Sequence, residues 1–229
     1  MDISDLKLFT DRGGVFTLPP SDFIYKAQHI KCLIFDWDGV FNAGVKGDGV
    51  FSNFSEVDSM GLNILRFGCK MLSNQILITG IISGEKNPST EKFVNREHLN
   101  FKCLGFKNKT EGLKRVLTRY GITPAQTVFV FDDILDLSVA KECGLRFKIS
   151  RNASPMFDKY VENNHLADYI TANTGSDFAV REICELMLAA LGIYNRAVDS
   201  RIAFDQTYAT YIAERNSIEP VTFTPETTY

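Results

Sequence analysis

The sequence predicts an α/β fold: a Rossmann-like parallel sheet with helices on both faces and a β-hairpin protruding after the first strand of that sheet. Three observations carry this. Continuous apolar runs at 31–36, 75–82 and 127–131 lack the alternation of a half-solvated strand, as strands buried on both faces do. Amphipathic segments of helical period fall between these runs, and strand–helix alternation implies parallel pairing through crossovers. A D-G turn at 48–49, between short β-prone flanks at 45–47 and 50–51, signals the hairpin.

The elements follow in order. Residues 1–29, with G-G at 13–14, P-P at 19–20 and a short segment at 24–30, read as an N-terminal extension lying on the domain. The main α/β domain spans 30–192, opening with the strand at 31–36. Asp58-Ser59 can cap a helix whose apolar face holds Leu62, Leu65, Phe67 and Leu72. After the strand at 75–82, Asn87-Pro88-Ser89 opens a helix to about His98, and 101–104 is a short strand. Thr110 caps a helix stopped at Gly121, where a left-handed residue is expected. The strand 127–131 leads to a helix over 134–142, then to strands at 146–149 and, at an edge, 167–170. Residues 176–191 form an amphipathic helix. Beyond Gly192, residues 194–212 read as one further helix, and the rest as a turn-prone tail; together 193–229 form a C-terminal unit.

Composition excludes several classes. The 229 residues are 45% hydrophobic and 23% charged, an ordinary globular balance with enough apolar surface for a core. A net charge of -3 without a basic stripe argues against nucleic acid. No apolar run is long enough to span a bilayer, and the acidic start M-D-I-S-D-L-K lacks a signal-peptide core, so a cytoplasmic protein is expected. Five scattered cysteines without C-x-x-C read as reduced buried thiols, and three isolated histidines make zinc improbable.

The chemistry gathers at strand ends, where open parallel sheets bind ligands. Asp36 and Asp38 end the first run, Ser83-Gly84 the second, and Asp132-Asp133 the strand at 127–131, with Asp136 one turn on and Lys109 just before the helix that Thr110 caps. Like charges so close need a cation. Asp36, Asp38 and Asp132 could share Mg²⁺, which accepts one or two carboxylates together with phosphate oxygens. A carboxylate can then attack phosphorus while a second exchanges protons with the leaving group and water. Ser83, the Gly84 N–H and Lys109 would hold the phosphoryl oxygens. A receiver domain uses similar groups, but its lysine comes late; here Lys109 precedes the second acidic strand end, which disfavours that reading.

F-D-W-D-G-V, I-I-S-G, N-K-T and F-D-D-I-L-D resemble, in this order, the four signatures of the haloacid dehalogenase superfamily. The short interval after D-W-D-G, and the equally short one from Ser83 to Lys109, resemble its cap-less subgroup, which includes 3-deoxy-D-manno-octulosonate 8-phosphate phosphatases and their nine-carbon sugar-acid relatives. The likeness covers roughly 30–190. It implies an Asp36 nucleophile, an Asp38 acid/base, and phosphate held by Ser83 and Lys109. Mg²⁺ would lie on Asp36, the Asp38 carbonyl and Asp132, with Asp133 and Asp136 supporting Lys109 and the metal's waters. Gly84, Glu85, Lys86, Asn108 and Asp58 are its candidate phosphate- or substrate-binding residues. The resemblance further implies a phosphorylated sugar or sugar acid as substrate, and a homo-oligomer, a tetramer by preference, in which a neighbour covers the site; residues 194–212 are a second candidate for such packing, or pack on their own domain. Departures are Phe131 where the subgroup has glycine, Glu85 where the octulosonate enzymes have arginine, and a lost arginine in S-E-V-D-S at 55–59. They leave open a catalytically weakened binding or assembly protein, and a phosphotransferase or mutase remains a further alternative.

Overall fold

The computed structural model describes residues 4–226. In chain order the elements are α1 (Ser4–Thr10), β1 (Val15–Phe16), α2 (Pro20–Gln28), β2 (Cys32–Phe35), α3 (Glu56–Ser73), β3 (Ile78–Ser83), α4 (Pro88–Arg96) and β4 (Phe101–Leu104). They continue with α5 (Lys109–Tyr120), β5 (Thr127–Phe131), α6 (Leu137–Ala140), β6 (Leu145–Lys148), α7 (Pro155–Asn163), β7 (Tyr169–Ile170) and α8 (Ala179–Ala190). The last are α9 (Tyr194–Ala203), α10 (Gln206–Asn216) and β8 (Val221–Phe223).

One eight-stranded sheet runs β1-β7-β6-β5-β2-β3-β4-β8, parallel except where β1 pairs with β7. From β2 the chain winds one way through β3 and β4, then returns to β5 on β2's other side. β2 and β5 are therefore the strands at which the order reverses, the place where such sheets form a crevice. The apolar runs are buried on both faces. Leu33, Phe35, Val128 and Val130 join the core beneath α3 and α8, while Cys32, Ile34, Phe129 and Phe131 join the core beneath α5 and α6. Leu6, Phe23 and Ala27 of the N-terminal helices, and Tyr208 and Tyr211 of α10, belong to the first of these cores.

Several elements differ from expectation. The hairpin is a loop with a single bridge, Gly47 to Val50, around Asp48-Gly49. Val45, Val50 and Phe51 remain largely exposed, so no second layer holds a longer ladder together. Ser55, not Asp58, caps α3: its hydroxyl accepts the Asp58 N–H (3.0 Å). The expected helix over 194–212 is two helices. Phe204 adopts φ +50° and Asp205 then caps α10 through the Tyr208 N–H (2.9 Å). Both pack on α3 of their own chain, where the Tyr208 and Tyr211 hydroxyls donate to the side chain and carbonyl of Asn63. The tail contains β8, which covers the outer edge of β4, and β7 is not an edge because β1 lies outside it. The unexpected α7 buries only Phe157 and Val161, too weak a pattern to mark it in the sequence. Among the described residues, no helix is long and apolar enough to cross a membrane.

Candidate active site

Five strand exits meet at the carboxyl edge of the sheet. Asp36 follows β2 and extends its pairing, its N–H bonded to the Val130 carbonyl (3.0 Å). Asp132 follows β5, the hydrogen-bonded neighbour of β2, and Ser83 ends β3, the neighbour on the other side. The exit of β4 leads through Phe106 and Lys107 into α5, whose first residue is Lys109; the exit of β6 supplies Arg151. All of these line one cavity of about 400 Å³, with Asp38, Lys46, Gly84, Glu85, Asp133, Leu135 and Asp136. Close approach requires Gly39: it has φ +88°, and a Cβ there would stand 2.0 Å from an Asp132 oxygen.

Lys109 is the central cation. Its Nζ, almost fully buried, donates to Asp36 Oδ1 and Asp136 Oδ1, each at 2.5 Å. Burial works against its charge, but the two carboxylates outweigh that and hold its pKa above the usual lysine range. Burial, reinforced by the Asp136 charge, raises the Asp36 carboxyl well above the ordinary range, against the opposing pull of Lys109. The same causes push Asp132 up to about 7. The metal-free cluster is thus short of positive charge. Asp36, Asp132 and Asp136 each offer an oxygen within 4.8 Å of the others, and Asp132 Oδ1 is buried without a hydrogen-bond partner. A close set of hard oxygen acceptors, one of them orphaned, fits a divalent cation.

Asp38 is held apart from this cluster. Its carboxylate accepts from the Ser52 hydroxyl and pairs with Lys46 (2.9 Å). The neighbouring Trp37 is wholly buried, stacks on Phe41 and donates its indole N–H to the Ser52 carbonyl (3.2 Å), tying the loop at 42–55 to the strand exit.

The structure thus brings together Asp36, Asp38, Ser83, Gly84, Glu85, Lys109, Asp132, Asp133 and Asp136 around one cavity, but not Asp58, Lys86 or Asn108. Asp58 is corrected from a substrate residue to a strut. It is fully buried, accepts the Ser55 hydroxyl (2.7 Å) and the Arg181 N–H (2.9 Å), and so fastens α3 to the start of α8. Asn108 is exposed and donates to Glu111, while Lys86 lies beside Gly105. The Asp133 side chain accepts the Ile134 N–H and faces Arg151 at 3.7 Å, while its backbone N–H donates to the Asp136 carboxylate (3.3 Å) that holds Lys109. Phe131 neither narrows nor fills the cavity: its ring stacks on Phe129 beneath α5 and α6. Lys46, Lys107 and Arg151 were missed. They come from loops, pairing with Asp38, Glu85 (2.5 Å) and Asp132 respectively, and their only signal was positive charge close to a strand exit.

An acid-tipped pair of central strands with a hydroxyl and a lysine on neighbouring exits defines a phosphoryl-transfer class. No family model matches the chain. It is, however, 30% identical over 176 residues to the 3-deoxy-D-manno-octulosonate 8-phosphate phosphatase of Salmonella typhimurium, covering 75% of this chain and 86% of that one. The crystal structure of the Yersinia pestis enzyme of the same name superimposes with a TM-score of 0.63 at 26% identity, over 76% of this chain and 89% of that one. The cobalt-bound deoxy-D-mannose-octulosonate 8-phosphate phosphatase of Haemophilus influenzae does so with a TM-score of 0.62 at 25% identity, over 74% and 93%. The chain belongs to the haloacid dehalogenase superfamily of phosphatases, in the subgroup of these octulosonate phosphate phosphatases.

Proposed function

We propose that the protein is a Mg²⁺-dependent phosphomonoester hydrolase acting on a phosphorylated sugar or sugar acid through an aspartyl-phosphate at Asp36. The observation that carries this is the meeting of Asp36, Asp132 and Asp136 within 4.8 Å beside Ser83 and the buried Lys109. The named activity of the relatives and the cobalt in one of them support the same reading.

Asp36 and Asp132 would hold the cation by their carboxylates and, as the family resemblance implies, Asp38 by its carbonyl; the Asp38 carboxylate itself is engaged by Ser52 and Lys46. When bound, Mg²⁺ supplies the positive charge the cluster lacks and draws electron density from the phosphoryl oxygens. An Asp36 oxygen attacks phosphorus as the ester P–O bond breaks, and Asp38, which enters this step in its protonated form, gives that proton to the departing alkoxide. Asp38 then takes a proton from water, whose oxygen attacks the aspartyl-phosphate and releases inorganic phosphate. Ser83, the Gly84 N–H and Lys109 hold the phosphoryl oxygens throughout, and Asp136 keeps Lys109 in place. Glu85, paired with Lys107 at the rim, contacts the sugar portion. The exposed Val45, Val50 and Phe51 beside an open cavity support a homotetramer in which a neighbour's loop excludes water.

Hydrolysis of p-nitrophenyl phosphate with Mg²⁺ tests the reaction, and a panel of phosphorylated sugars and sugar acids tests the substrate. Turnover by wild type and its loss in Asp36→Asn, with the fold retained, are expected. Wild-type rates from Asp36→Asn would overturn the assignment.

A further inference from the structure

A second polar cleft, of about 310 Å³, lies between α3, the end of α4 and the α9–α10 pair. It is distinct from the cavity of the carboxylates and shares no lining residue with it. Three guanidinium groups line it. Arg96 is met by Glu56 and by Glu97 (3.3 Å), and Arg215 by Glu97 (3.6 Å). Arg201 differs: among the described residues no carboxylate lies within 4.0 Å of it. Its guanidinium is stacked instead over the rings of Tyr208 (4.7 Å) and Phe204 (4.9 Å). Its Nε is buried with no hydrogen-bond partner. Ser59, which lines the same cleft from α3 and is 2% exposed, also has a hydroxyl without a partner.

Buried polar groups are nearly always satisfied, and two unsatisfied groups in one cleft call for a shared explanation. A guanidinium can only donate, and a hydroxyl can donate, so the missing group is an acceptor; the unmatched charge makes it an anion. We propose that this cleft is a binding site for a small oxyanion, a phosphate or a carboxylate, held by Arg201 and Ser59 with Tyr208 as its aromatic wall. Arginine stacked on aromatic rings loses little freedom on binding, which favours such a site. The cleft exists only because α9 and α10 pack on α3.

The test uses full-length protein. Crystals soaked in tungstate, a tetrahedral oxyanion with an anomalous signal, should show a peak between Arg201 and Ser59. Calorimetric titration with inorganic phosphate and, separately, with malonate should show binding that weakens about tenfold or more in Arg201→Gln while p-nitrophenyl phosphate turnover is unchanged. The stronger of the two titrants identifies the ligand class. No tungstate peak in the cleft of the wild type, or equal affinities of wild type and Arg201→Gln for both titrants, would overturn the proposal.

Discussion

At the residue scale, the decisive group is a lysine shared by two buried carboxylates. Removing the Lys109 ammonium leaves Asp36 and Asp136 facing each other, and takes one donor from the phosphoryl oxygens. Lys109→Ala is expected to lower kcat by about 10²–10³-fold, the scale of a lost oxyanion donor, measured with p-nitrophenyl phosphate. The acid shifts give a pH prediction. Asp132 ionises near 7 in the folded metal-free protein and near 3.8 as an ordinary carboxyl. A raised acid pKa contributes stability in full below the unfolded value and loses it as pH rises through the folded one. Chelator-treated protein should therefore lose melting temperature between about pH 5 and pH 8, and saturating Mg²⁺ should restore more at pH 8, where no proton competes. An equal Mg²⁺ shift at both pH values in thermal unfolding would contradict this. The meeting of Asp36, Ser83, Lys109 and Asp132 at one cavity was legible in the sequence because each sits at or next to a strand or helix end that periodicity marks. Arg151 and Lys46 were not, because the path of an irregular loop is set by tertiary contacts such as the Trp37–Ser52 bond.

At the element scale, α3 joins the loop beside the site to the C-terminal part of the chain, packing on α8, α9 and α10. Its first turn depends on Ser55, and Ser55→Ala should cost about 1 kcal/mol in denaturant unfolding. Asp58 ties that turn to α8. Asp58→Asn is expected to destabilise the protein while leaving KM unchanged; a raised KM at unchanged stability would return Asp58 to the substrate. The family resemblance that suggested Asp58 as a substrate-binding residue could not distinguish a residue facing the cavity from one buried at a helix cap. The core strands were read to within about three residues at either end because apolar runs bounded by acids and glycines are strong signals. The C-terminal pair was misread as one helix because the break falls at Phe204, an aromatic in the left-handed conformation that glycine or asparagine would have announced.

At the scale of the whole molecule, topology is what gives distant acids a common address. Asp36 and Asp132 are far apart in sequence, yet the return of the chain from β4 to β5 makes their strands neighbours. For the proposed tetramer, light scattering should give four times the 25.8 kDa chain, and replacing Val50 and Phe51 by serine should lower that mass. A monomer with full activity would contradict it.

In the proposed reaction Asp36 receives the phosphoryl group beside a cation shared with Asp132. A crystal structure grown with Mg²⁺ and beryllium trifluoride, which mimics a phosphoryl group on a carboxylate, tests this most directly. Beryllium attached to an Asp36 oxygen, with Mg²⁺ between Asp36 and Asp132, is the predicted result; beryllium on another residue, or Mg²⁺ away from Asp132, would contradict it.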